Sequence, residues 1–249
     1  MADLMHMLRS RRVGLALSGG SVRGLAHIGI IKALTDAGIR PTIIVGTSAG
    51  SVIGAAVAAG MPWEQVREMA CSVFWPSLLT RSGLERFCSR HLPATFRDLK
   101  IPFAAVATAL PHKLPYVIAE GPLASALSAS CAMRVVRRSV VRNGHRLKDG
   151  GIVCVLPALA CRELGADLVI GSDVWELSSA LRTLGLDPTH PRSRRAYPAH
   201  FRAALRHTDL LIQPDIPAAG YVPGSNAVDL MIDAGERAAR RALGLSARF

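Results

Sequence analysis

Residues 42–52 read T-I-I-V-G-T-S-A-G-S-V, and the way this stretch is parsed decides the fold. No charged residue occurs between Arg40 and Glu64, so the segment has the ~20 uncharged residues that a membrane-crossing helix needs. Gly46, Gly50 and Gly54 even repeat at the four-residue spacing that packs membrane helices closely. Three features favour a different parsing. Pro41 and Pro62 bracket the run, and Thr42 to Val45 is uniformly β-branched, a strand preference. Gly46-Thr47-Ser48-Ala49 is small and turn-prone, a poor surface to offer lipid. The stretch reads as a buried parallel strand, a sharp turn and an Ala/Gly-rich buried helix, because a strand covered on both faces is continuously apolar.

Working outward, the same pattern occurs just upstream. Val13 to Leu17 is a short apolar run that ends in S-G-G-S, and Leu25, Ile28, Ile31 and Leu34 then recur at helical spacing. Gly38 supplies a C-cap and Pro41 resets the chain. Strand, Gly loop, helix, strand, Gly turn, helix is an α/β pattern with a parallel sheet. Beyond it, helices are expected at 62–73, 83–91, 123–131, 157–164 and 226–243. Strands are expected at 103–109, 116–119, 168–170 and 210–212, the first two joined by the turn P-H-K-L-P. Residues 134–148 are rich in arginine, and 182–207 read as a surface loop with a short helix. No linker or repeat divides residues 1–249, so one domain is expected, preceded by a basic tail over residues 1–11.

Composition narrows the class. Half of the 249 residues are hydrophobic, enough for one substantial core. The net charge of +12 either spreads over a solvated face or points to anionic partners: a membrane surface, a nucleic acid or an acidic substrate. For nucleic acid, charge is the sole support, since there is no recognition motif and only 5% of residues are aromatic and able to stack on bases. Five cysteines without a C-x-x-C pair read as reduced thiols in a cytoplasm rather than as disulfides or a zinc site. The apolar run after Arg9, Arg11 and Arg12 is too short for a signal peptide.

Two Gly turns can carry chemistry. S-G-G-S-V-R-G at 18–24 follows a strand and opens a helix, so its backbone N–H groups converge where negative charge is stabilised. It is neither a dinucleotide fingerprint, which needs glycine at Ser21, nor a P-loop, which needs lysine after Gly24. G-T-S-A-G at 46–50 is a G-x-S-x-G between strand and helix, the setting of a nucleophile elbow. On adjacent strands the two turns lie side by side at the carboxyl edge of the sheet, where ligands bind. A base is not evident from these turns alone. His200 and His207 sit in basic segments without an orienting motif, His27 reads as a packed residue, and Asp149 in K-D-G-G reads by itself as a turn at a strand end.

The motifs taken together resemble the patatin-like phospholipases: L-A-L-S-G-G-S-V-R-G-L-A-H-I-G at 15–29, V-G-T-S-A-G at 45–50 and D-G-G at 149–151. A-L-S-A-S-C-A-M at 126–133, the continuation to Pro157 and E-L-G-A-D-L-V-I at 163–170 extend the resemblance from about Arg12 to Val174. It implies a three-layer fold, a mostly parallel sheet with helices on both faces, and a Ser–Asp dyad. Ser48 would be the nucleophile and Asp149 the general base. Gly19, Gly20 and Ser21 would form the oxyanion loop with Arg23, and Gly24, Gly46, Gly50, Gly150 and Gly151 would be the motif glycines. The implied substrate is a lipid acyl ester, a phospholipid or lysophospholipid, with no metal or cofactor and with peripheral contact to anionic membrane. The chain departs from the family at Ser21, where a third glycine is usual, at Cys154, where asparagine is common, and at R-V-V-R-R-S-V-V, 134–141, in place of a Pro- and Phe-containing loop.

Two further classes remain open at this stage. A lipid-binding or regulatory protein that keeps the fold without catalysis would follow if the 134–141 segment covered Ser48 or displaced Asp149. A Ser–His–Asp esterase would require His200 or His207.

Overall fold

Strands β1 (Val13–Leu17) and β2 (Ile43–Thr47) are buried at every residue, as strands covered on both faces must be. They form the centre of a computed structural model that describes residues 2–73, 78, 80–132, 139–216 and 225–245. The uncharged 41–63 stretch is β2, a turn at Ser48 and helix α3 (Ala49–Ala58). Among the described residues no helix is long and apolar enough to cross a membrane.

The sheet has eight strands among the described residues, and the others are β3 (Phe103–Leu110), β4 (Leu114–Ile118), β5 (Val140–Arg142), β6 (His145–Asp149), β7 (Leu168–Ser172) and β8 (Leu210–Ile212). β3, β2, β1, β7 and β8 are mutually parallel in that spatial order, while at the β3 end β4 and β6 pair antiparallel with β3 and β5 pairs antiparallel with β6. Helix α2 (Ala26–Asp36) makes the crossover from β1 to β2. Helices α3, α4 (Trp63–Cys71) and α5 (Arg81–His91) lead from β2 to β3. The remaining helices are α6 (Leu123–Ser130), α7 (Ala158–Glu163), α8 (Glu176–Thr183), α9 (Ala199–Leu205) and α10 (Ser225–Ala242).

Alternate residues of each strand feed two cores. Val13, Leu15, Leu17 and Ile44 pack with α2, α3 and α10 on one face. Ala16, Ile43, Val45 and Val169 pack with Tyr197 and Phe201 on the other. The expected three-layer, mostly parallel architecture is therefore present.

Three local expectations change. Residues expected as a basic tail form helix α1 (Ala2–Ser10), which buries Leu8 in the first core and ties Arg9 Nε to the Ala37 carbonyl at 2.9 Å. The arginine-rich 134–148 stretch holds the β5–β6 hairpin in its described part, with Asn143 (φ 46°) and Gly144 (φ 77°) at the turn; residues 134–138 lie outside the described residues. The segment expected as a surface loop after residue 182 is anchored by Tyr197 and Phe201, which are fully buried.

Two helices cross at a point where neither tolerates a side chain. A Cβ at Gly29 would overlap the Ile232 carbonyl oxygen, and one at Gly235 would overlap that of Ala26. Lys32 and Glu236 close the same crossing with an ion pair. Either Gly29→Ala or Gly235→Ala should therefore push α2 and α10 apart. The expected cost is ~1–3 kcal/mol of unfolding free energy, a fall of roughly 3–10 °C in Tm by thermal denaturation.

Candidate active site

The location of Ser48 follows from backbone register. β2 pairs with β3 up to Thr47 opposite Val106. β6 pairs with β3 from Arg146 opposite Leu110 to Asp149 opposite Ala107. β4 pairs with β3 over Ala105 to Ala109 and so occupies the other edge. β2 and β6 therefore share one edge of β3 and run toward each other, stopping at neighbouring residues ~3.3 Å apart along the strand. Ser48 leaves one strand end and Asp149 terminates the other.

The side chains meet directly. Ser48 Oγ donates to Asp149 Oδ2 at 2.8 Å. The second carboxylate oxygen, Oδ1, accepts the Gly151 N–H at 2.8 Å, which fixes the plane of the carboxylate. Thr108 Oγ1 donates to the Asp149 carbonyl at 2.8 Å, and the Asp149 N–H donates to the Ala132 carbonyl at 3.0 Å. Gly150 is packed so tightly that a Cβ there would overlap the Val106 carbonyl oxygen. The D-G-G turn is thus pressed against β3, with the carboxylate turned to Ser48.

Ser48 is held in a conformation that side chains disfavour, φ 51° and ψ −125°, at a cost of ~1–3 kcal/mol. Three hydrogen bonds offset this cost. Its N–H donates to Ser130 Oγ at 2.8 Å, and its carbonyl accepts from Ser51 N at 2.8 Å and from Ser51 Oγ at 2.6 Å. Ser130 Oγ in turn donates to the Val106 carbonyl at 2.6 Å, so α6 is coupled through one hydroxyl to both β3 and the serine backbone. Gly46 and Gly50 make the turn possible: a Cβ on the first would overlap Gly50 and Ser51 backbone, and one on the second the carbonyls of Leu17 and Ser18. Ser48 stands at the N-terminus of α3, where the helix favours developing negative charge.

The first Gly loop lies beside it. A Cβ at Gly19 would stand 3.4 Å from Ser48 Cβ. The Gly19 N–H is committed to the Val155 carbonyl at 3.0 Å, which ties the loop to the segment after D-G-G. Among the described residues the N–H groups of Gly20 and Ser21 donate to nothing, which leaves them as the donors this loop can offer. Ser21 adopts φ 52°, the left-handed region in which the usual glycine would be unstrained. Arg23 turns toward β7 instead: its Nε donates to the Val174 carbonyl at 3.0 Å, and burial lowers its pKa.

Behind the loop, His27 is fully buried. A carbonyl can only accept, so Nε2–H donates to Ser18 O at 3.0 Å and Nδ1 accepts from Ser172 Oγ at 2.6 Å. His27 is a strut between β1 and β7, as its packed reading implies. His200 packs its ring on Trp175, 5.7 Å between centroids, and burial lowers its pKa. The Ser48 hydroxyl is already taken by Asp149, so no histidine intervenes between them. Sequence reasoning gave Ser130, Thr47 and Thr108 no role. Ser130 was visible only as a serine within A-L-S-A-S-C-A-M, and Thr47 Oγ1 holds the Cys154 carbonyl at 2.9 Å.

A strained serine between two glycines at the carboxyl edge of a parallel sheet, with a carboxylate on its hydroxyl, has the strand–turn–helix geometry of an α/β protein with a G-x-S-x-G elbow. A family model described as patatin-like phospholipase matches residues 15–162, and the chain belongs to that family. Patatin-like phospholipase domain-containing protein 6 of Mus musculus is 33% identical over 190 residues, 69% of this chain and 14% of that protein. An uncharacterized NTE family protein of Mycobacterium tuberculosis is 34% identical over 181 residues, 65% of this chain and 48% of that protein. The chain thus spans less than half the length of both relatives. The crystal structure of VipD from Legionella pneumophila shares the fold, with a TM-score of 0.66 at 14% identity, covering 94% of this chain and 67% of VipD. Family membership supports lipid-ester hydrolysis at the level of the family.

Two measurements probe this site without any substrate. Ser48→Gly relieves the positive φ whereas Ser48→Ala keeps it, so the glycine variant should unfold at higher denaturant, by ~1 kcal/mol relative to alanine. His27 is pushed down to about 4 by burial, whereas the unfolded chain titrates near its ordinary value of ~6.5. The unfolded state binds the extra proton between those values. Stability is therefore whole above about pH 6.5 and falls by roughly 3 kcal/mol toward pH 4. Urea unfolding across that range should show the slope in wild type and a clearly shallower one in His27→Gln, His200 supplying part of the remainder.

Proposed function

We propose that this chain is a serine acyl hydrolase that cleaves lipid acyl esters, of phospholipid or lysophospholipid, through a Ser48–Asp149 dyad and an acyl-enzyme intermediate. The observation that carries this reading is the 2.8 Å hydrogen bond from Ser48 Oγ to a carboxylate whose other oxygen is locked by Gly151.

In the first half-reaction Ser48 Oγ attacks the ester carbonyl while its proton passes to Asp149 Oδ2. The carbonyl oxygen becomes an oxyanion, stabilised by the N–H groups of Gly20 and Ser21 and by the N-terminus of α3, each donor contributing ~3 kcal/mol. Collapse of the tetrahedral adduct expels the alcohol, which leaves with the proton from Asp149. Water then attacks the acyl-serine, with Asp149 again accepting a proton and returning it to Ser48 Oγ. Gly19 and Arg23 act on this reading as anchors of the loop rather than as donors. Their bonds to Val155 and Val174 hold it over Ser48.

The non-catalytic alternative would follow if Asp149 were displaced from Ser48; the hydrogen bond between them favours catalysis instead. Hydrolysis of a p-nitrophenyl acyl ester series by wild type, Ser48→Ala and Asp149→Asn tests the proposal. Turnover in wild type should fall by about 10⁴-fold or more in both variants, with the fold retained. Full activity in Asp149→Asn, with loss in His200→Ala or His207→Ala, would replace the dyad by a histidine-based triad. Absence of turnover in folded wild type would leave the lipid-binding alternative.

A further inference from the structure

β3 does not stop where the site begins. Ala107 to Leu110 continue past the ends of β1 and β2, so the strands paired to this extension rise beside the site as a wall. The β3–β4 turn, residues 111–113, and the β5–β6 turn, residues 143–144, leave the same end of that wall, because Leu110 pairs with Arg146. Three residue steps along β3 place these tips roughly 10 Å beyond Asp149.

The two hairpins form one braced unit. The Tyr116 ring packs on His145, 4.9 Å between centroids. The Arg142 guanidinium bonds the carbonyls of Glu120 and Pro122, so β5 is tied to the chain that leaves β4.

The charge carried by the two hairpins has one sign. Residues 110–118 and 139–148 contain Lys113, Arg142, Arg146, Lys148, His112 and His145 and no aspartate or glutamate. Lys113 and Arg146 are exposed and make no ion pair among the described residues. Aliphatic side chains are exposed on both faces of the hairpins: Leu114 is 60% accessible on one face, and Val117 40% and Val141 67% on the other, where Val141 is the direct cross-strand partner of Arg146.

We propose that the paired β3–β4 and β5–β6 hairpins are the surface that docks this protein on an anionic phospholipid bilayer, presenting the mouth of the Ser48 site to its substrate. The proposal rests on the lipid acyl hydrolase reading for its purpose but not for its chemistry. Cations beside exposed aliphatic side chains match anionic headgroups above acyl chains. A nucleic acid would use the cations but offers nothing to Leu114, Val117 and Val141. It would call for stacking aromatics, and the one tyrosine here is packed on His145.

The test uses the full chain carrying Ser48→Ala, so that no lipid is consumed, and sedimentation with mixed phosphatidylglycerol–phosphatidylcholine vesicles at physiological ionic strength. Binding should occur and should fall at least roughly 25-fold in Lys113→Glu/Arg146→Glu, about fivefold for each cation lost. A matched reversal between α8 and α9, Arg192→Glu/Arg195→Glu, should cost far less. Leu114→Ser/Val141→Ser should weaken vesicle binding while leaving any duplex-DNA binding unchanged. Equal losses in the hairpin and control variants, or no binding by the unaltered hairpins, would overturn the proposal. So would duplex-DNA binding that depends on Lys113 and Arg146 while vesicle binding does not. With Ser48 restored, the hairpin variants should hydrolyse a short-chain soluble ester at the wild-type rate. An inactive wild type in that assay would sink the hydrolase reading, and the vesicle measurement would still decide the docking surface on its own terms.

Discussion

Two strands that run head to head on one edge of β3 hold the rest of this structure to its purpose. β2 arrives parallel and stops at Val106; β6 arrives antiparallel and stops at Ala107. Backbone ladders set strand ends far more rigidly than loop packing sets side chains, so Ser48 and Asp149 inherit their separation from β3 itself. The bracing is built around that junction. Ser130 reaches Val106 and the Ser48 N–H, Thr108 reaches the Asp149 carbonyl, and Gly150 lies flat against Val106. These contacts end on or start from β3 at Val106 and Thr108, on either side of Ala107.

The junction is bought with local strain. Ser48 and Ser21 are non-glycine residues at positive φ within one small region. Such geometry survives because the surrounding core is over-determined: β1 and β2 are buried on both faces, and His27 is sealed as a neutral strut between Ser18 and Ser172.

What the sequence made legible divides along local and non-local lines. The β-branched run Thr42 to Val45 and the small residues after it announced β2 and its turn, since strand preference and turn chemistry are local properties. The two Gly loops could likewise be placed at the carboxyl edge from alternation alone. Asp149 could not. Its meaning depends on the register of β6 on β3, a pairing across some forty residues that leaves only a turn-like K-D-G-G in the sequence, and only the family resemblance singled it out. The β5–β6 hairpin was hidden by its arginines, although Asn143-Gly144 is a strong two-residue hairpin signal. Helix α1 was hidden in the same way: Arg9, Arg11 and Arg12 drew the eye from Leu8, whose burial needs a partner surface far along the chain. Ser130 carries one hydroxyl among several serines of an Ala/Ser-rich helix, and no spacing rule distinguishes it.

The crossing of α2 and α10 has a consequence for the order in which the molecule is assembled. Gly235 seats against Ala26, the residue that follows the Ser21–Leu25 turn, and Ile232 seats against Gly29 one helical turn later. A ribosome-bound chain that has already released Ser48 and Asp149 still lacks the element that clamps the base of the Gly loop. Synthesis from one end thus delivers Ser48 and Asp149 before the helix that clamps the Gly loop. Until residues 225–242 emerge, the growing polypeptide carries the Ser48–Asp149 pair beneath an unsecured roof.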